Sequence, residues 1–295
     1  MNQIQNDQKH SSIIRKILYF PFCRIIIGIF LVNVPTFILR SIAQFILSSF
    51  SIENDTIQSL VIFCVRLLSV YFAYMFFVRT FEKRKAEEIS INISTIKELF
   101  NGGLIGLVMI SIVLTLMGLT GNFTINSVDY SATLFKSFLY HSFFAFLQDI
   151  VYFAIIFRII EKSLGSWIAI IIASLIFGFK HLLFPGYTLW SVIAQTIEAG
   201  ILFSALFILS RRIWLIFGFH FVWNYIQYGL IQGFDTEGLT PFFNTDFSGS
   251  NLVTGKPVGL EASLVTFIIG TFLGIYYLRK AKKNRNFVLP YWERK

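Results

Sequence analysis

Apolar residues along the chain fall into long blocks parted by short polar connections. Crossing a bilayer as a helix takes about 20 predominantly apolar residues. Eight blocks reach or approach that length, near 24–47, 57–78, 102–119, 134–157, 167–184, 189–209, 213–230 and 260–278. The pattern predicts an all-α fold: a polytopic membrane bundle of about eight transmembrane helices. Residues 1–23 read as a polar N-terminal tail, 24–278 as the membrane domain and 279–295 as a basic C-terminal tail. The start of the chain lacks the short apolar core and small-residue cleavage site of a secretory signal, so it reads as a cytoplasmic segment. Of the two longest connections, 79–101 reads as an amphipathic surface helix, and 231–259 is rich in Gly, Thr, Asn and Pro. Gly102 and Gly106 make a small-xxx-small pair suited to close helix packing.

The connections also carry the orientation. Taken alternately, one set holds Lys9, Arg15 and Lys16, then Arg79, Lys83, Arg84, Lys85 and Lys97. It continues with Arg158 and Lys162, Arg211 and Arg212, and the basic run from Arg279 to Lys295. The opposite set holds Lys256 beside Glu53, Asp55, Asp129, Asp235, Glu237 and Asp246. Lys and Arg in short loops stay cytoplasmic, which puts both termini on that side. Composition agrees: 55% of residues are hydrophobic and 14% charged, against about a quarter charged in soluble domains. The formal charge of +9 then reads as attraction to anionic lipid headgroups. No nucleic-acid motif accompanies it. Cys23 and Cys64 lie in apolar blocks and read as small buried hydrophobes. The Phe-rich, Lys/Ile/Asn-leaning composition suggests a bacterial cell membrane.

Ionisable side chains at membrane depth cost at least ~2.5–3.5 kcal/mol each, so they need a partner or a purpose. Arg24 and Lys136 lie near span ends and are expected to snorkel. Arg40 and Arg66 suit helix packing. The others, His141, Asp149, Lys180, His181, Glu198 and His220, concentrate between the fourth and seventh blocks, with the amides Gln148 and Asn224. Phe177 and His181 are four apart, as are His220 and Asn224, so each pair shares a helix face. Gly178 thins the helix beside His181 and lets another segment approach. Imidazoles, carboxylates and amides gathered in lipid point to a hydrated cavity. There a carboxylate or imidazole takes a proton from water, and N–H groups hold a developing oxyanion.

Two motifs carry a resemblance. F-G-F-K-H at 177–181 matches F-x-x-x-H, and H-F-V-W-N at 220–224 matches H-x-x-x-N. Around them stand L-G-S-W at 164–167, I-E-A-G-I-L at 197–202, R-R-I-W at 211–214 and T-G-K-P-V-G-L-E-A-S at 254–263. In this order and spacing the chain resembles the CPBP family, the CAAX proteases and bacteriocin-processing (Abi) enzymes, over roughly 81–277. The resemblance implies an eight-helix intramembrane endopeptidase of the glutamate type. In that scheme His181 helps a Glu to activate water, and His220 and Asn224 form the oxyanion site. The family's first motif, E-E-x-x-x-R, falls here on Q-D-I-V-Y-F at 148–153. Gln148 stands at the leading Glu, Asp149 at the second and Phe153 at the Arg. An amide does not accept a proton from water near neutral pH, so the usual base is missing.

Two functions stay open on these residues. One is a peptidase cutting membrane-associated, possibly prenylated peptides, with Asp149 and His181 as the acid–base pair and Phe177, Lys180 and Glu198 in support. The other is a catalytically inactive relative that binds a peptide, a lipid tail or another membrane protein as a scaffold or regulator. A small-solute transporter fits less well, because repeat halves and paired broken helices are lacking. No cofactor is expected. Zinc is an alternative, since His181, His220 and a carboxylate are ligand types, but H-E-x-x-H is absent.

Overall fold

A computed structural model describes residues 20–232 and 238–294. The chain is a bundle of helices: α1 (Pro21–Ser49), α2 (Asp55–Phe77), α3 (Ile93–Leu119), α4 (Leu134–Asp149) and α5 (Arg158–Phe179). Then come α6 (Leu189–Ser210), α7 (Trp214–Asn224) and α8 (Leu264–Lys283). Local chemistry sets their starts. Asn54 caps α2 by accepting from the Ile57 amide at 3.0 Å, and Thr188 and Ser191 form a capping box on α6. Large apolar side chains face outward along the bundle, as with Phe37 at 67% and Phe45 at 71% exposure on α1. In water such a surface would be an aggregation hazard; in a bilayer it is the solvated face. The protein is a multi-pass membrane protein.

Among the described residues six helices are long and apolar enough to span a bilayer. The sequence expected about eight, and the difference has two sources. The run Leu134–Leu183 counts once because it is helical throughout, yet it reverses at Gly165, whose φ of 81° is left-handed. Past that point α5 folds back on the π-helical continuation of α4, Ile150–Phe157, so that Phe177 meets Phe153 at 6.4 Å between ring centres. The block 213–230 is divided into the 11-residue α7 and a π-helical continuation, Tyr225–Gln232.

Two ends of the bundle differ in chemistry. At one, the connections are stitched by ion pairs and by arginine hydrogen bonds to backbone carbonyls. Glu82 accepts from Arg84 at 2.9 Å and also from Arg158, and Arg24 lies 3.6 Å away. Glu88 takes Arg84 at 2.6 Å and the Tyr74 hydroxyl. Arg211 bonds Glu161 at 2.5 Å and the Asn286 carbonyl, and Arg212 bonds the Ser90 carbonyl. This network corrects two expectations. Segment 79–92 forms only a π turn and a 3-10 turn, because its acids are engaged in ion pairs rather than along a surface helix. Arg24 is buried beside Glu82 instead of snorkelling. The opposite end is closed by a two-stranded antiparallel sheet that the sequence reading did not anticipate, β1 (Phe123–Val128) against β2 (Phe243–Phe247).

The α3–α7 contact places the functional region. A Cβ on Gly106 would lie 2.9 Å from the Phe219 carbonyl oxygen, and one on Gly102 would strike the Leu215 carbonyl. The small-xxx-small pair therefore brings α3 onto the backbone of the helix that carries His220.

Candidate active site

Helices α3 to α8 all contribute to one cavity of about 450 Å³. From α4 come His141 and Gln148; the turn after α5 gives Lys180 and His181; α6 gives Glu198; α7 gives His220 and Asn224. The rest of the wall is mostly apolar and aromatic, including Phe177, Phe203 and Trp223. Gly178 closes the α5–α6 contact, where a Cβ would lie 3.0 Å from Thr196 Cα.

Asp149 does not line this cavity. It is fully buried behind His220, and its Oδ1 meets His220 Nδ1 at 2.9 Å. The sequence reading paired Asp149 with His181; its hydrogen-bond partner in the fold is His220. Consecutive helical residues are about 100° apart, and here that rotation sends Gln148 into the cavity and Asp149 into the α4–α7 interface. Gln148 Oε1 accepts from Lys180 Nζ at 2.5 Å. The same ammonium sits 4.3 Å from the ring centre of Phe177 and 4.5 Å from that of Tyr152, over electron-rich faces that offset part of its desolvation.

His181 lies where α5 tightens into a 3-10 turn, its Nδ1 3.2 Å from the Gly178 carbonyl oxygen. Its ring packs edge-on against Phe177 at 5.4 Å and stacks on Tyr187 at 5.2 Å. His141 stacks on Tyr228 at 5.8 Å, and its Nε2 is buried with no hydrogen-bond partner among the described residues. Glu198 is buried on the cavity wall, and Gly270 leaves room for its Oε2, which a Cβ there would approach to 2.9 Å. Phe153, at the family's Arg position, is 1% exposed and packs among Phe157, Phe177, Phe203 and Phe207.

The sequence reading did not single out Glu261, nor Tyr187, Gln195 and Tyr228, which also line the cavity. Glu261 accepts from the Tyr187 hydroxyl at 2.5 Å and from Gln195 Nε2 at 2.8 Å. It lies inside the quoted segment at 254–263, where a carboxylate at the edge of an apolar block was the available signal. Among the described residues no group of three or more His, Cys, Asp or Glu side chains is arranged to hold a metal ion.

Residues 130–226 match the family model described as "Type II CAAX prenyl endopeptidase Rce1-like". Over this stretch, about a third of the chain, the protein is similar to the CAAX proteases. The matched segment runs from just before α4 to just past α7; it contains 148–153, 177–181 and 220–224, and leaves Glu261 outside. No curated protein and no solved structure matches the chain.

Proposed function

We propose that this chain is an intramembrane peptidase in which His220, held by Asp149, activates water. The observation that carries the reading is the 2.9 Å contact between His220 Nδ1 and Asp149 Oδ1 on a ring whose other side borders the cavity. With the proton on Nδ1 donated to the carboxylate, Nε2 is left as the base, and the buried carboxylate stabilises the imidazolium that forms. Gln148, at the family's Glu position, is then a donor rather than a base. Its Oε1 is engaged by Lys180, which leaves its NH₂ for the substrate carbonyl, alongside the Asn224 amide and His181. The apolar wall suits a membrane-associated peptide, and membrane lipid is the surrounding solvent. The residue usage suits the cell membrane of a bacterium. No cofactor and no zinc takes part in this scheme.

A second reading has one observation in its favour: the amide of Gln148 sits at the family's Glu position and is occupied by Lys180. On that reading the cavity binds a peptide or lipid tail without cutting it. Purified protein in liposomes, offered a panel of fluorogenic apolar peptides, separates the two. Cleavage abolished by His220→Ala and strongly reduced by Asp149→Asn supports the peptidase. No cleavage by the native chain, with cleavage by Gln148→Glu, supports the inactive binder.

A further inference from the structure

The side of the membrane from which the cavity is reached follows from two facts that neither the charges nor the fold gives alone. The charges say which end of the bundle is cytoplasmic. Arg84, Arg158, Arg211, Arg212 and Arg294 all lie in the stitched end, where Ile213 N also bonds the Glu88 carbonyl at 3.0 Å and Ser166 N the Val288 carbonyl at 2.9 Å. Basic residues so concentrated mark the cytoplasmic face. The opposite end carries Asp55, Asp129 and Asp246, with Lys136 and Lys256 at 3.3 and 3.9 Å from Asp55 and Asp246.

The fold says at which end the cavity opens. Phe184 and Pro185 are exposed and also line the cavity, in the turn that follows α5 at the end remote from Ser166. Leu239, Glu261 and Tyr187 belong to that same end, where Trp190 Nε1 bonds the Ala262 carbonyl at 2.8 Å. By helical rise His181 is about 22 Å from Ser166. His220 is nearer the basic end, about 12 Å from Arg212 by the same measure, but the way is filled. Phe153, Phe157, Phe203 and Phe207 are each no more than 4% exposed and pack ring against ring beneath it. Phe153, at the position where the family's motif has Arg, is the centre of that floor.

We infer that the cavity is entered from the extracytoplasmic face, so that its substrate is a peptide segment presented outside the cytoplasm, as on an exported or outward-anchored protein. The word substrate rests on the peptidase reading; the side of access does not. A cytoplasmic chain terminus would meet the ion-paired plate and the aromatic floor instead.

The test is cysteine accessibility in intact cells, in a Cys23→Ala, Cys64→Ala background of the full chain. A membrane-impermeant maleimide is applied before and after permeabilisation to single variants Lys256→Cys, Leu183→Cys, His181→Cys and Lys83→Cys. Labelling needs a hydrated thiolate. The expected result is equal labelling of Lys256→Cys, Leu183→Cys and His181→Cys before and after, and labelling of Lys83→Cys only after. Labelling of His181→Cys only after permeabilisation, or not at all while Lys256→Cys reacts, overturns the outward opening; so does the reverse pattern at Lys256 and Lys83. If His181→Cys fails to accumulate, Leu183→Cys at the rim carries the same outcomes. Peptide cleavage plays no part in this readout, so it fails independently of the peptidase reading.

Discussion

His220 and Asp149 are 71 positions apart in the chain and 2.9 Å apart in the fold, the imidazole facing the cavity and the carboxylate hidden behind it. Asp149 is thus a positioning residue, acting on water only through the ring it holds. Replacing it by Asn keeps the shape and removes the charge that favours the Nδ1–H tautomer. Asp149→Asn is expected to lower kcat by about 10²–10⁴-fold, the usual worth of a positioned acid–base group, with KM little changed. Steady-state kinetics on a cleaved peptide, with thermal stability as control, checks this.

Gln148→Glu and Phe153→Arg rebuild the first motif, and their environments predict opposite costs. Gln148→Glu meets the Lys180 ammonium already in place and is expected to be stable. Phe153→Arg puts an unpaired cation into an aromatic floor where nothing prepared for it, and is expected to cost about 3 kcal/mol or more. If the two new groups meet, the double variant recovers at least about 1 kcal/mol of that cost. A double-mutant cycle read by thermal unfolding in detergent measures the coupling.

Gly218 of α7 faces α3 so closely that a Cβ would lie 2.9 Å from the Gly103 amide nitrogen and still nearer the Leu99 carbonyl oxygen. Backbone atoms of a packed helix do not move aside cheaply. Gly218→Ala is expected to destabilise the protein by about 1–3 kcal/mol, with a lower Tm. Because the helix carrying His220 shifts, activity should fall further than the unfolded fraction explains.

Glu88 sits in the ion-paired end outside the spans. Burial alone would raise its carboxyl, but the hydrogen bond from Arg84 and the charges of Arg158 and Arg84 outweigh that and hold it below the ordinary value. A carboxyl depressed by folding contributes stability above its unfolded pKa, near 4.3, and that stability is lost as pH falls through the folded value. Thermal stability should therefore drop on acidification below about pH 4.3. Glu88→Gln should be less stable at pH 7 and show a flatter pH profile; an unchanged profile would remove the assignment.

What the chain shows along its length is what short-range physics fixes. The apolar blocks, the polarity of their connections and the cluster of wet groups in the middle of the chain are local properties, set by the cost of placing backbone and charge in hydrocarbon. The spacings that put His181 with Phe177 and Asn224 with His220 are likewise properties of a single helix. The tertiary structure alone decided the partners. Helix rotation and packing on Gly102 and Gly106 chose His220 for Asp149, left Gln148 to Lys180, and brought Glu261 to the cavity from a turn outside the family-matched stretch. It also decided that Gly165 reverses the chain, that Phe153 seals one end, and that the cavity opens at the other. Such choices depend on which faces meet across dozens of residues, and no periodicity along the chain records them.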